Sequence, residues 1–233
     1  SGLESLASAD ARDSSPDGRN GRWMLIAFDF DGTLSDSEMT VLLGGEQGVA
    51  DEMADITERA MNDELSYAES LRSRAELLRG LSEREAERAF GRVALRPGAA
   101  AVIDALRDAG HTVAVLTGGF ERGVARALDD AGTDVDAVVA NRLPTRDGTL
   151  TGDVEGPLIE GTKDETLAAL ADEVGVGMAD TVAVGDGAND LPMLEVAGLA
   201  VGYEPKPAVE PHCDVVVEAM AELRELLEER GVL

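Results

Sequence analysis

Three short apolar runs, each cut off by a polar, glycine-containing cluster, constrain this chain more than any other feature. Trp23-Met-Leu-Ile-Ala-Phe28 ends at Asp29-Phe-Asp31-Gly32-Thr33, Thr112-Val-Ala-Val-Leu116 at Thr117-Gly118-Gly119, and Thr181-Val-Ala-Val184 at Gly185-Asp186-Gly187. Apolar runs of this length without polar alternation suit strands buried on both faces, as in a parallel sheet. Shorter runs at 135–140, 199–201 and 215–217 extend the series. Helical patterns lie between them. Pro97 to Ala109 starts with proline and is followed by Gly110; Phe120 to Ala131 and Thr162 to Val174 are followed by Gly132 and Gly175. This is the usual asymmetry of helix ends. Ala219 to Arg230 closes the chain as a further helix. Strands alternating with helices predict an α/β fold with a Rossmann-like, doubly wound parallel sheet.

Two segments break the alternation. Residues 36–95 hold no convincing strand and read as several helices, Glu83 to Phe90 the clearest, inserted after the first strand as a helical cap. Asn141 to Val154 carries Asp147-Gly148, a hairpin turn pair, between Leu143 and Leu150, and predicts an edge β-hairpin. The catalytic core is then 23–35 with 96–233. Residues 1–22, rich in Ser, Asp, Gly and Arg and without periodicity, read as a disordered tail or an added segment.

In open α/β sheets, ligands bind beyond the carboxyl ends of the strands. The three polar clusters should therefore converge, although they lie far apart in sequence. Asp29 and Asp31 are two residues apart, so a strand-like period points both the same way. With Asp186 and Asp190 they make a carboxylate cluster that cannot stay fully ionised unless a cation joins it. A few hard oxygen ligands suit Mg²⁺ better than Zn²⁺. A carboxylate attacking a phosphate also needs fixed positive charge, and Lys163 is a candidate. Thr117 and Gly118, before a helix, offer a hydroxyl and backbone N–H groups to phosphate oxygens.

Charge narrows the partners. Lys and Arg total 20 against 47 acidic residues, a formal net charge of −27, and the only lysines are Lys163 and Lys206. Such a surface repels nucleic acid and anionic membranes, so neither is expected as a partner. It should also repel itself in dilute buffer, whereas at 1 M salt screening is nearly complete within about 3 Å. In composition the chain resembles proteins of salt-accumulating halophiles. One cysteine, Cys213, excludes an intrachain disulfide. No run approaches a membrane span or a signal peptide, and a cytoplasmic location is expected. Oligomeric state is not legible.

Taken together, Asp29-Phe-Asp31-Gly32-Thr33, Thr117-Gly118-Gly119, Lys163 and Gly185-Asp186-Gly187-Ala-Asn189-Asp190 resemble the four ordered motifs of the haloacid dehalogenase-like phosphatases. Glu38, Ser70-Leu-Arg72-Ser-Arg74, Ala140-Asn-Arg-Leu143 and Leu150-Thr-Gly-Asp-Val-Glu155 carry the resemblance further, to the phosphoserine phosphatase family, from about Met24 to the C-terminus. The resemblance implies hydrolysis of O-phospho-L-serine, the last step of serine synthesis, through an aspartyl-phosphate with Mg²⁺ as cofactor. It implies Asp29 as nucleophile and metal ligand, and Asp31 as general acid and then base, its carbonyl facing the metal. Asp186 is implied as the third ligand, with Asp190 orienting metal-bound water or Lys163. Thr117, Gly118 and Lys163 would hold the phosphoryl group and Asn189 the substrate. Glu38 would meet the substrate ammonium and Arg72 its carboxylate. Thr117 and Gly32 depart from the Ser usual at each position in that family, and no regulatory domain is expected ahead of the catalytic unit.

Plainer readings stand beside these. Glu38 and Arg72 would be ordinary solvated charges on cap helices, and Arg74 solvent-facing or a structural ion-pair partner. His111 and Cys213 are expected to be structural, and Trp23 to anchor the domain edge. Other functions consistent with the residues are the same chemistry on another small phosphomonoester, phosphotransfer to an acceptor other than water, and a non-catalytic Mg²⁺- or phosphate-binding module.

Overall fold

The computed structural model describes residues 23–61, 64–160 and 162–233; the tail reading for 1–22 lies outside them. A six-stranded sheet forms the centre, in the order β3-β2-β1-β6-β7-β8 with every pairing parallel. Its strands are β1 (Leu25–Phe28), β2 (Thr112–Phe120), β3 (Ala137–Asn141), β6 (Thr181–Gly185), β7 (Leu199–Tyr203) and β8 (Val215–Val217). The chain winds outward from β1 to β3 and then returns to the other side of β1. The topological switch therefore falls between β1 and β6, the strands that end at Asp29 and Asp186.

The two faces of the sheet carry different side chains. Ile26, Phe28, Val113, Val115, Val182, Val184 and Val201 pack with helices α5 (Ala99–Asp108), α6 (Glu121–Ala131) and α9 (Met220–Glu229). On the opposite face Ala27, Ala114, Ala183 and Ala200 lie in register across four strands. Helices α7 (Lys163–Val174) and α8 (Leu191–Val196) cover that row with Leu167, Leu170, Met193 and Leu194. Small residues in register let α7 settle close to the sheet, which brings its first residue, Lys163, over the end of β1. Thr162 is the N-cap of α7, and Gly175 ends it in the left-handed conformation that a Cβ would disfavour.

Between β1 and α5 lie α1 (Met39–Gln47), α2 (Ala50–Met61), α3 (Tyr67–Leu77) and α4 (Glu83–Phe90). Ser66 and Ser82 start α3 and α4 with reciprocal capping boxes to Glu69 and Glu85. The segment leaves and rejoins the sheet at one place, where Ser35 and Leu95 form an isolated bridge. The hairpin also forms, as β4 (Thr145–Arg146) and β5 (Thr149–Leu150), with Asp147 and Gly148 both at positive φ. It is a separate two-stranded sheet, and it bonds to the α3–α4 connection rather than to the central sheet. Gly80 N–H donates to the Leu150 carbonyl and Leu150 N–H to that of Leu81.

His111 is structural: Met24 N–H donates to its Nδ1, and Nε2 lies 2.6 Å from the Val232 carbonyl, tying β1 to the C-terminus. Trp23 is half-exposed and donates from Nε1 to Thr112 Oγ1. Among the described residues no helix is long and apolar enough to cross a membrane.

Candidate active site

The carboxyl ends of β1, β2 and β6 meet beneath α1–α3 and enclose a cavity of about 470 Å³. Asp29, Asp31, Glu38, Thr117, Gly118, Asp186 and Asn189 all line it, together with Tyr67, Arg74 and Lys206. Lys163 lies buried behind it and lines an adjoining cavity of about 290 Å³, separated from the first by Tyr67, Gly118 and Asn189.

The floor is a buried charge network. Lys163 Nζ lies 2.5 Å from Asp29 Oδ1 and 2.6 Å from Asp190 Oδ1, and all three side chains are almost wholly buried. Asp190 has no oxygen to spare. Its Oδ2 accepts from the backbone N–H groups of Asp186 and Gly187, and its Oδ1 also accepts from Asn189 Nδ2. Gly185 permits this approach, since a Cβ there would lie 2.6 Å from the Asp190 side chain. Asp186 is held more loosely: Thr33 Oγ1 donates to Oδ1 at 3.4 Å, and Lys206 Nζ lies 3.3 Å from Oδ2. Gly32, at φ +95°, passes so close that a Cβ would sit 2.6 Å from Asp186 Oδ1. The glycine is required by both backbone and space.

Burial and like charge set the protonation tendencies. The Asp29 carboxyl is pushed up by burial and by Asp190 and Asp186, against the opposing pull of Lys163. Asp31 is pushed well up by burial, then by Glu38 and Asp29. Its Oδ1 is buried without a hydrogen-bond partner. Burial and neighbouring like charge thus favour its protonated form. Asp186 is also raised, by burial first. For Lys163 burial favours the neutral amine, but Asp190 and Asp29 outweigh it and hold the ammonium.

These groups fit a divalent cation. Oxygens of Asp29, Asp186 and Asp190 lie within 4.8 Å of one another. Both oxygens of Asp190 are taken by Lys163 and two N–H groups, whereas Asp29 meets only Lys163 and Asp186 is held by longer contacts, so these two are the more available donors, with the Asp31 carbonyl in the same turn. Crowded carboxyls whose ionised forms are disfavoured are what a hard cation reverses.

The Thr117 segment belongs to a strand that runs almost to the following helix. β2 continues through Thr117-Gly118-Gly119 to Phe120 with a register shift after Leu116, and α6 starts only at Glu121. Thr117 Oγ1 accepts from Gly119 N–H, and the Gly118 carbonyl accepts from buried Asn141 Nδ2. A Cβ at Gly118 would meet the Tyr67 hydroxyl at 1.7 Å, so Gly118 makes room for the ring that divides the two cavities.

The roof requires a correction. Arg72 is not in the cavity: its guanidinium pairs with Glu160, and both side chains are more than half exposed. Arg74, expected to be solvent-facing or structural, lines the cavity instead, donating from Nη1 to Thr40 Oγ1 at 3.2 Å and from Nε to the Ser70 carbonyl. Glu38, just ahead of α1, faces the same space; burial raises its pKa, and Lys206 and Arg74 oppose that rise. Tyr67, Arg74 and Lys206 are the lining residues to which the sequence reading gave no role. Arg74 stood in the quoted Ser70–Arg74 stretch, and Lys206 is one of only two lysines.

Comparison with known proteins agrees with this geometry. Residues 26–195 match the haloacid dehalogenase-like hydrolase family. The chain is 54% identical to a phosphoserine phosphatase of Halobacterium salinarum, over 89% of this chain and 99% of that one. It is 41% identical to the phosphoserine phosphatase of Methanocaldococcus jannaschii, over 87% and 95%. A solved phospho-aspartyl intermediate analogue of phosphoserine phosphatase superposes with a TM-score of 0.81 at 40% identity, covering 89% of this chain and 99% of that one. A substrate-bound phosphoserine phosphatase complex gives 0.81 at 39%, covering 89% and 98%. With strand order, acid cluster and these likenesses in agreement, the chain belongs to the haloacid dehalogenase-like hydrolases and, within them, to the phosphoserine phosphatase family.

Proposed function

We propose that the protein hydrolyses O-phospho-L-serine to L-serine and phosphate through an aspartyl-phosphate on Asp29. One observation carries the substrate: the cavity that Asp29 lines is also lined, from the segment after β1, by one carboxylate, Glu38, and one guanidinium, Arg74. An amino-acid phosphate presents one ammonium and one carboxylate, and these two side chains match them in charge and in fork-like geometry. Arg74 thus takes the role expected of Arg72.

Asp29 attacks phosphorus while the bond from phosphorus to the serine oxygen breaks, and Asp31 gives its proton to that oxygen. Asp31, now a carboxylate, takes a proton from the water that attacks the aspartyl-phosphate, releasing phosphate and restoring Asp29. Thr117, the Gly118 backbone and Lys163 hold the phosphoryl oxygens. Asn189, shared by both cavities, keeps the substrate over Asp29, and Asp190 holds Lys163 in place. Asp29, Asp186 and the Asp31 carbonyl would hold Mg²⁺, which when bound keeps Asp29 ionised and offsets phosphoryl charge.

Residues 36–95 act in this reading as a cap over a core of 23–35 and 96–233. The Ser35–Leu95 bridge supports hinges at those points. Cap movement would admit substrate, and a cytoplasmic site of action in salty solvent accords with the charge of −27.

A panel of phosphomonoesters assayed with Mg²⁺ in 2 M KCl tests the substrate. Phosphoserine should exceed glycerol phosphate, sugar phosphates and an aryl phosphate in kcat/KM by at least about tenfold, one charge-assisted hydrogen bond's worth of discrimination. A sugar or glycerol phosphate ranking first would overturn the substrate while leaving the mechanism.

A further inference from the structure

Both lysines of this lysine-poor chain reach the same site. Lys163 serves Asp29 and Asp190, whereas Lys206 has no part in the chemistry above. Lys206 lies in the loop after β7, between Pro205 and Pro207, and the loop is firmly tied. Glu204, at φ 42°, pairs with Arg96 at 2.8 Å and donates its N–H to the Val217 carbonyl. The Lys206 N–H donates to the Asp186 carbonyl at 2.9 Å, and the Lys206 carbonyl accepts from Val209 N–H. Its ammonium then folds back to Asp186 Oδ2 at 3.3 Å. Lys206 therefore grips Asp186 at both main chain and side chain.

We propose that Lys206 is a positioning residue for Asp186, holding that carboxylate in the orientation that binds the divalent cation. This deepens the reading of Asp186 as a metal ligand and rests on it. The alternative effect is repulsion, since a cation beside a metal site weakens metal binding. Two facts decide between them. The Lys206 side chain is 57% exposed, so water and salt screen its charge. Orientation is not screened, and without Lys206 the only remaining side-chain contact of Asp186 among the described residues is the long one from Thr33. Loss of a group that orients a metal ligand typically costs about 10- to 100-fold in metal affinity.

Calorimetric titration of Mg²⁺ into the full chain, without substrate, tests this directly in wild type and Lys206→Met. The expected result is a Kd raised about tenfold in the variant. The KM for phosphoserine at saturating Mg²⁺ should stay within twofold. An unchanged or tighter Mg²⁺ Kd overturns the assignment, as does a raised KM with unchanged Kd, which would make Lys206 a substrate contact. If the Met variant does not fold, Lys206→Gln carries the same expectation. The titration involves no phosphoserine, so failure of the substrate reading in the panel above leaves this result standing. A wild type that binds no Mg²⁺ would sink both.

Discussion

The floor and the roof of the cavity are built to different rules. On the floor, Asp29, Lys163 and Asp190 are almost wholly buried, joined at 2.5 and 2.6 Å, and locked by backbone N–H groups at the end of β6. On the roof, Arg74 and Tyr67 come from α3, a helix that is held by side-chain packing, and Glu38 from just ahead of α1. The floor can fix reacting atoms because strand ends are set by sheet register. The roof can adapt to a substrate because helices shift with modest loss. The difference predicts that damage to the floor costs folding and chemistry together, whereas damage to the roof costs recognition alone.

The sharpest way to break that comparison is Lys163→Met. It leaves Asp29 and Asp190 buried without their cation, and removing one partner from such a network costs about 3–5 kcal/mol. A thermal melt in 2 M KCl should fall by roughly 6–20 °C, with turnover lost. A melt within 2 °C of wild type would show that the floor does not support the fold. Arg74→Ala should leave the melt unchanged and lower kcat/KM for phosphoserine by roughly 10- to 100-fold, the loss of a hydrogen bond to a charged group. Its activity on an aryl phosphate should stay within threefold, as should both activities of Arg72→Ala, whose exposed pair with Glu160 contributes little. Equal losses on both substrates in Arg74→Ala would deny the roof its role in recognition.

The smallest effect concerns neither region. The screened groups are on the surface, where exposed ion pairs such as Arg126–Asp130 and Arg142–Glu155 sit among a large excess of acids. Raising KCl from 0.1 to 2 M should raise the melting temperature by about 5 °C, equivalent to roughly 1–2 kcal/mol. No rise would remove the salt-adapted reading of the composition.

The floor was legible in the sequence for a physical reason. Each of its acids follows an apolar run, and a parallel sheet has only one edge at which such residues can meet. Three helix ends were marked by glycines, at Gly110, Gly132 and Gly175. The roof was half legible. Arg72 and Arg74 flank the apolar stripe Ala68, Leu71, Ala75 and Leu78, each about 80° from its centre at 100° per residue. Periodicity therefore cannot choose between them; only the docking of α3 on the core does, turning Arg74 inward and leaving Arg72 to Glu160. The continuation of β2 through Thr117-Gly118-Gly119 was hidden because glycine is a poor strand former, while pairing with β3 and the Asn141 side chain keep the segment extended. Lys206 had no motif around it, and its meaning comes from the loop that returns it to Asp186.

The central claim, that Asp29 is the nucleophile of a phosphoserine hydrolase, is tested most directly by phosphate release from L-phosphoserine with Mg²⁺ in 2 M KCl, comparing wild type with Asp29→Asn. The account predicts sustained release by wild type and a loss of at least about 10⁴-fold in the variant, the scale seen when a nucleophile is removed. Release by Asp29→Asn within tenfold of wild type, or none by wild type, would contradict it.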